Sequence, residues 1–175
     1  MSLIITCPRN FEEKAGKEIS EFIKNVTDTN PEISSTDLSG IFIIHTNTDP
    51  IEIIEKFKQK IDDEPWSIRF CSRLIPIHDI VESKLDVIKQ GIDKLLNIIN
   101  PNDTFRITIE NRNSSLSTSE IISEIGEIIP NKVSLEKPDW EILVEILGGK
   151  TGIAVLPKNS ILSVQKTKRE FSDQD

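Results

Sequence analysis

Histidine, cysteine and tyrosine are nearly missing from this sequence, with two histidines, two cysteines and no tyrosine in 175 residues. An enzyme of this size is expected to gather a convergent set of titratable groups, and the shortage removes most ways of building one. His45 ends one apolar run and His78 follows another, and neither has a motif around it. There is no Gly-x-Ser-x-Gly elbow, dinucleotide fingerprint, His-x-x-x-His pair or cysteine cluster, so no catalytic residue, metal site or cofactor is expected. Asp62-Asp63-Glu64 reads as a solvated loop rather than a cation site. Cys7 and Cys71 sit in apolar runs without a CxxC partner, which predicts buried, reduced thiols. The N-terminus has neither the basic start nor the apolar length of a signal peptide, and no segment approaches the length of a membrane-crossing helix. A soluble, cytoplasmic chain is expected.

Glycine is also scarce, at seven residues, and three of them stand in "LVEILGGKTGIAVLP", Leu143 to Pro157. Gly-Gly-Lys-Thr invites comparison with a phosphate-binding loop. That loop needs Gly-x-x-x-x-Gly-Lys-[Ser/Thr], and Val144 occupies the place of its first glycine. It also needs a helix to follow, whereas Thr151 is followed by the β-type run Gly152 to Leu156. The stretch is expected to be a hairpin turn with Lys150 at its tip.

A surplus of positive charge is lacking too: the net charge is −8, with 21 basic and 29 acidic residues. This argues against a generic nucleic-acid binder, whose non-specific affinity comes from neutralising phosphates. The charge is unevenly spread, however. Ile146 to Arg169 holds Lys150, Lys158, Lys166, Lys168 and Arg169 and no acid, whereas residues 1–145 carry 16 basic and 26 acidic side chains.

What the chain has in abundance is isoleucine, leucine and valine in periodic runs. Leu3 to Cys7 reads as a strand, and Asn10 as the N-cap of a helix with Phe11, Ala15, Ile19, Phe22, Ile23 and Val26 on one face. A weak strand at Ile33 to Ser39, a strong one at Ile41 to Thr46, a helix opened by Asp49-Pro50 and a strand across Trp66 to Ile77 follow. The order βαββαβ is the ferredoxin-like pattern. It restarts with a helix at Val81 to Ile99, a strand at Thr104 to Glu110, and a helix opened by Ser117 and Glu120 at capping-box spacing. Strands at Lys132 to Leu135, Trp140 to Leu147 and Gly152 to Leu156 complete it. The expected fold is α+β, with a ferredoxin-like domain over 1–78, an α/β domain over 79–160 and a basic then acidic C-terminal tail over 161–175.

Basic and amide side chains fall on strand ends and turns, a distribution suited to holding RNA. Arg106 points away from Phe105 and Ile107 and is expected to face solvent. Asn111-Arg112-Asn113 precedes a helix N-terminus, where free N–H groups favour an anion. Arg69 and Arg73 lie on the strand near residue 70. Together with Lys150, Lys158, Lys166 and Lys168, these are the candidate RNA contacts, with Lys150, Arg112 and the basic tail expected along one rim.

"TFRITIENRNSSLSTSEIISEIGEIIPNKVSLEKPDWEILVEI", Thr104 to Ile146, resembles a THUMP domain: a strand ending in a basic Arg-Asn turn, a helix, a short Val-x-Leu strand, a Pro-Asp turn and another strand. "RLIPI", Arg73 to Ile77, and the half before it are similar to THUMP proteins that act as tRNA adaptors for a cytidine acetyltransferase. About 20 residues follow the THUMP-like strands, which fits the adaptor branch rather than the branches that carry a catalytic domain. The resemblance implies a non-enzymatic chain that binds the acceptor stem and 3′ CCA end of tRNA and presents it to a separate modification enzyme. The alternatives are a protein-interaction module, or a non-catalytic subunit of a thiolation or methylation complex.

Overall fold

A computed structural model describes residues 1–27 and 29–173 and divides them into two compact units. The first takes Met1–Pro76 together with Asn159–Asp175, and the second is Ile77–Lys158. The fold is α+β with an N-terminal ferredoxin-like part.

In the first unit, β1 (Ser2–Thr6), α1 (Glu12–Thr27), β2 (Glu32–Ser35), β3 (Ile41–His45), α2 (Pro50–Asp63) and β4 (Arg73–Ile77) follow the expected order. β1 and β2 each pair antiparallel with β3. α1 buries Ala15, Ile19, Phe22 and Ile23, spaced three and four apart, against Leu3, Ile5, Phe42 and Ile44. Asp49 caps α2 by accepting the Ile51 N–H at 2.9 Å, with Pro50 in the first helical turn where its missing donor costs nothing. Asn10 is not a helix cap. It takes φ 67° in a turn closed by the Phe11 N–H on the Pro8 carbonyl, one residue ahead of the helix.

Two expected elements differ. The strand across Trp66 to Ile77 begins only at Arg73, after a 3-10 turn at Pro65–Ser67. The reason is Glu18 on α1: its carboxylate accepts the N–H groups of Arg69, Phe70 and Cys71 at 2.6, 3.0 and 2.8 Å, so these donors are satisfied by a side chain instead of a ladder. The C-terminal segment expected as a tail is β10 (Leu162–Ser163), antiparallel to β4, and α5 (Val164–Ser172). Leu162 and Val164 are buried in the core of the first unit, so apolar burial overrides the charge of the flanking lysines. The last two residues of that expected tail, Gln174 and Asp175, lie outside the described residues. The first sheet therefore runs β10-β4-β1-β3-β2.

The second unit holds β5 (Asp79–Glu82), α3 (Leu85–Asp93), β6 (Thr104–Arg112), α4 (Thr118–Ile128), β7 (Lys132–Val133), β8 (Trp140–Leu147) and β9 (Lys150–Pro157), in a sheet ordered β5-β9-β8-β6-β7. β6 is parallel to both β7 and β8, and β9 is antiparallel to β8 and β5. Ile88, Ile92, Ile121 and Ile125 from the helices pack with Phe105, Ile142, Val144, Ile146, Ile153 and Val155 from the strands. The helix expected from Val81 to Ile99 is replaced at its start by β5, because Ile80 and Val81 gain Gly152 and Thr151 as ladder partners; at its end, Leu96–Ile98 forms a 3-10 turn. Leu147 faces Lys150 across β8 and β9, leaving Gly148 and Gly149 as a two-residue hairpin. Gly148 has φ +64°, a conformation glycine adopts without strain, so the Gly-Gly-Lys-Thr stretch is a turn and a strand start. No helix among the described residues is long and apolar enough to cross a membrane.

Candidate nucleic-acid interface

β6 and β8 run parallel and end together, and four of the expected contacts gather at that C-terminal edge of the second unit. Arg112 closes β6, opposite Leu147 of β8, which in turn faces Lys150 of β9. The Gly148 N–H donates to the Arg112 carbonyl at 2.9 Å, tying the hairpin to the strand end. Asn111 donates through Nδ2 to the Leu116 carbonyl at 2.9 Å, folding the 113–116 loop back onto β6, and Asn113 takes φ 57° to make the turn. Ser117 then caps α4 by accepting the Glu120 N–H at 3.3 Å. Exposed Asn113 and Lys150 thus flank a rim of turns at the helix N-terminal side of the sheet, where backbone donors suit an anion.

Arg112 is not simply a solvated charge. Its Nη1 donates to Glu145 Oε2 at 2.5 Å, and while the Arg112 side chain is 23% exposed the Glu145 carboxylate is fully buried. The pair holds the guanidinium in place and occupies one of its nitrogens, leaving its other donors to a phosphate. Sequence reasoning missed Ser83 and Lys84, which join the same edge because β5 pairs with β9: the Ser83 N–H donates to the Gly149 carbonyl at 3.0 Å and Ser83 Oγ lies 2.8 Å from Thr151 Oγ1. The signal is the pair of β-formers Ile80-Val81 ahead of Ser83-Lys84, of which Val81 also fits the start of the expected helix.

The remaining candidates lie elsewhere. Arg106 is on the strand face away from the helices and faces solvent with its side chain 37% exposed, while its Nη1 donates to the Leu135 carbonyl and its Nη2 to Glu141, at 3.1 and 3.2 Å. Lys158 follows the far end of β9, roughly 26 Å from Lys150 at about 3.3 Å per strand residue, so the two share no rim. Asp139 beside it has its carboxyl held below the usual range, first by the Thr104 N–H and then by the Thr104 hydroxyl. Arg69, Arg73, Lys166 and Lys168 belong to the first unit. Arg69 is exposed, with its Nε on the Trp66 carbonyl; Arg73 faces Ser163; Lys166 is exposed, 3.9 Å from Glu170; and Lys168 donates to the Ile68 carbonyl at 2.6 Å. Of the basic C-terminal stretch, Lys166, Lys168 and Arg169 are thus part of α5 in the first unit.

His45 sits between two hydroxyls, Ser2 Oγ at Nδ1 and Ser34 Oγ at Nε2, each at 3.0 Å, and no carboxylate joins them in those contacts. Both thiols are free. Cys71 is buried and its pKa is pushed far up by burial, while Cys7 is half-buried and raised to a lesser degree, first by burial and then by Glu12. Among the described residues no group of three or more His, Cys, Asp or Glu could hold a metal ion.

Comparison with known proteins places this geometry. An uncharacterized protein of Methanocaldococcus jannaschii, MJ0421, is 24% identical over 174 residues, covering 97% of this chain and 44% of its own length. The crystal structure of PH1313 from Pyrococcus horikoshii Ot3 superposes with a TM-score of 0.67 at 20% identity, over 93% of this chain and 54% of that one. A 4-thiouridine synthetase solved as an RNA complex with bound ATP superposes with a TM-score of 0.54 at 16% identity, over 93% of this chain and 41% of that one. The chain thus spans about half the length of the proteins it matches. Its second unit matches a family description over residues 82–156, from the end of β5 to the end of β9, and this segment is a THUMP domain.

Proposed function

We propose that the chain binds tRNA through the THUMP domain and presents it to a separate modification enzyme, a cytidine acetyltransferase, without contributing catalytic residues of its own. What supports the reading is the THUMP match at residues 82–156 together with Arg112, Asn113 and Lys150 at one edge of its sheet. The acceptor stem and 3′ CCA end are the part of the substrate held there. Such a module acts by raising the local concentration of substrate and fixing its orientation on the partner. Likeness to the 4-thiouridine synthetase supports a second reading, the RNA-binding part of a thiolation complex.

The test is acetyl transfer to a transcribed tRNA by the partner enzyme alone, with this protein, and with its Lys150→Ala variant. Each arm is repeated on tRNA trimmed of CCA. Stimulation should appear only with intact tRNA and should fall with the variant. Equal rates with and without the protein would sink the acetyltransferase reading, and thiouridine formation then becomes the reaction to measure.

A further inference from the structure

The first unit carries a groove of about 390 Å³ whose lining includes Lys14, Lys17, Lys60, Arg69, Phe22 and Phe70. Two carboxylates, Glu18 and Glu21, line it against four cations, and that of Glu18 is spent on the backbone donors of Arg69, Phe70 and Cys71. Lys168 adds a fifth cation beside the groove, on the carbonyl of the lining residue Ile68. The ion pairs Lys17–Glu13 and Lys60–Glu64 are solvent-exposed, so exchanging either carboxylate for a phosphate costs little.

Aromatic rings lie among these charges. Phe70 stacks on Phe11 with centroids 5.7 Å apart and planes 21° from parallel, and Lys14 Nζ stands 5.2 and 5.6 Å from the two rings. Trp66, next to the lining residue Ser67 in the 3-10 turn, is 67% exposed. A large apolar ring left in water, with Arg69 on its backbone carbonyl and a cation-lined groove at the next residue, matches an unstacked base with its flanking phosphates. A duplex, whose bases are already stacked on one another, has no free face to offer the indole.

We infer that this groove takes an unpaired nucleotide of the bound RNA, its base stacked on Trp66 and its phosphates on Arg69, Lys14 and Lys60. The inference rests on the RNA-binding reading above and adds a contact on the first unit that is independent of Lys150.

The experiment uses the full chain and a fluorescently labelled, unstructured single-stranded RNA of about a dozen nucleotides, with a duplex of the same sequence as competitor. Trp66→Ala and Arg69→Ala should each weaken single-strand binding, Trp66→Ala on the order of tenfold, with circular dichroism unchanged. Intrinsic tryptophan emission should fall on titration in the native chain and far less in Trp66→Phe, which leaves only Trp140, and the duplex should compete poorly. Native affinity in Trp66→Ala, with binding still lost in Lys150→Ala, overturns the groove while leaving the THUMP reading intact. No RNA binding by the native chain overturns both.

Discussion

Arg112 serves the fold and the candidate interface at once, and a pair of substitutions separates the two. Its guanidinium pairs with a carboxylate that has no exposure at all, so removing it withdraws one of the partners of a buried charge. Arg112→Ala is expected to cost about 3 kcal/mol of stability, read as a lower urea midpoint. Lys150 stands exposed at the start of β9 with its stem in solvent, and Lys150→Ala is expected to leave the midpoint within about 0.5 kcal/mol of the parent. Equal midpoints in the two variants would show that the Glu145 carboxylate does not depend on Arg112. Loss of RNA binding in Arg112→Ala alone is therefore ambiguous, and Lys150 is the residue on which the interface is judged. The residue types of the site were legible in the sequence: Asn111 to Asn113 do end a strand before a helix, and Lys150 does follow a hairpin. The carboxylate across from Arg112 was not, because pairing β6 with β8 depends on a parallel register that the local pattern leaves open.

Elements with a strong local signature formed where periodicity put them. α1, α2, α4, β3 and β8 each carry an apolar stripe or run that only one secondary structure can bury, and the Asp49 and Ser117 caps mark two helix starts to the residue. The elements read differently depend on distant partners: β5 on β9, β10 on β4, and the loop before β4 on Glu18. β10 and α5 make the point measurable. Deleting 159–175 strips Leu162 and Val164 from the core, each worth about 1.5–3 kcal/mol when fully buried, and uncovers an edge of β4. Hydrogen exchange should then show β1 and β3 losing protection while β8 and β9 keep theirs. Unchanged protection in β1 would mean the C-terminal segment is dispensable to the first unit.

At the scale of the whole molecule, a net charge of −8 constrains how RNA can be held. Within the second unit Arg106 and Arg112 are already engaged by Glu141 and Glu145, so phosphate contacts there fall to few cations, with those of the first-unit groove adding a handful. Affinity for tRNA should therefore fall with salt along a shallow log–log slope, about −1 to −3, as expected for a handful of phosphate contacts. A slope steeper than about −5 would require a basic surface that the second unit lacks. Shape, stacking and backbone donors would then supply much of the remaining selectivity.

β4 and β10 are antiparallel neighbours, and the segment that joins them contains the entire THUMP domain. Protein synthesis reads this arrangement in time. When Pro76 leaves the ribosome, the first unit has its βαββαβ order but no partner for the outer edge of β4, and the 82 residues of the second unit must be made before Asn159 appears. At about 5–20 residues per second that interval is roughly 4–16 s, long compared with the folding of a small α/β unit. The second unit is thus complete while the first is still open, and β10 and α5 act as a latch that is cast only after the whole of the second unit has been made.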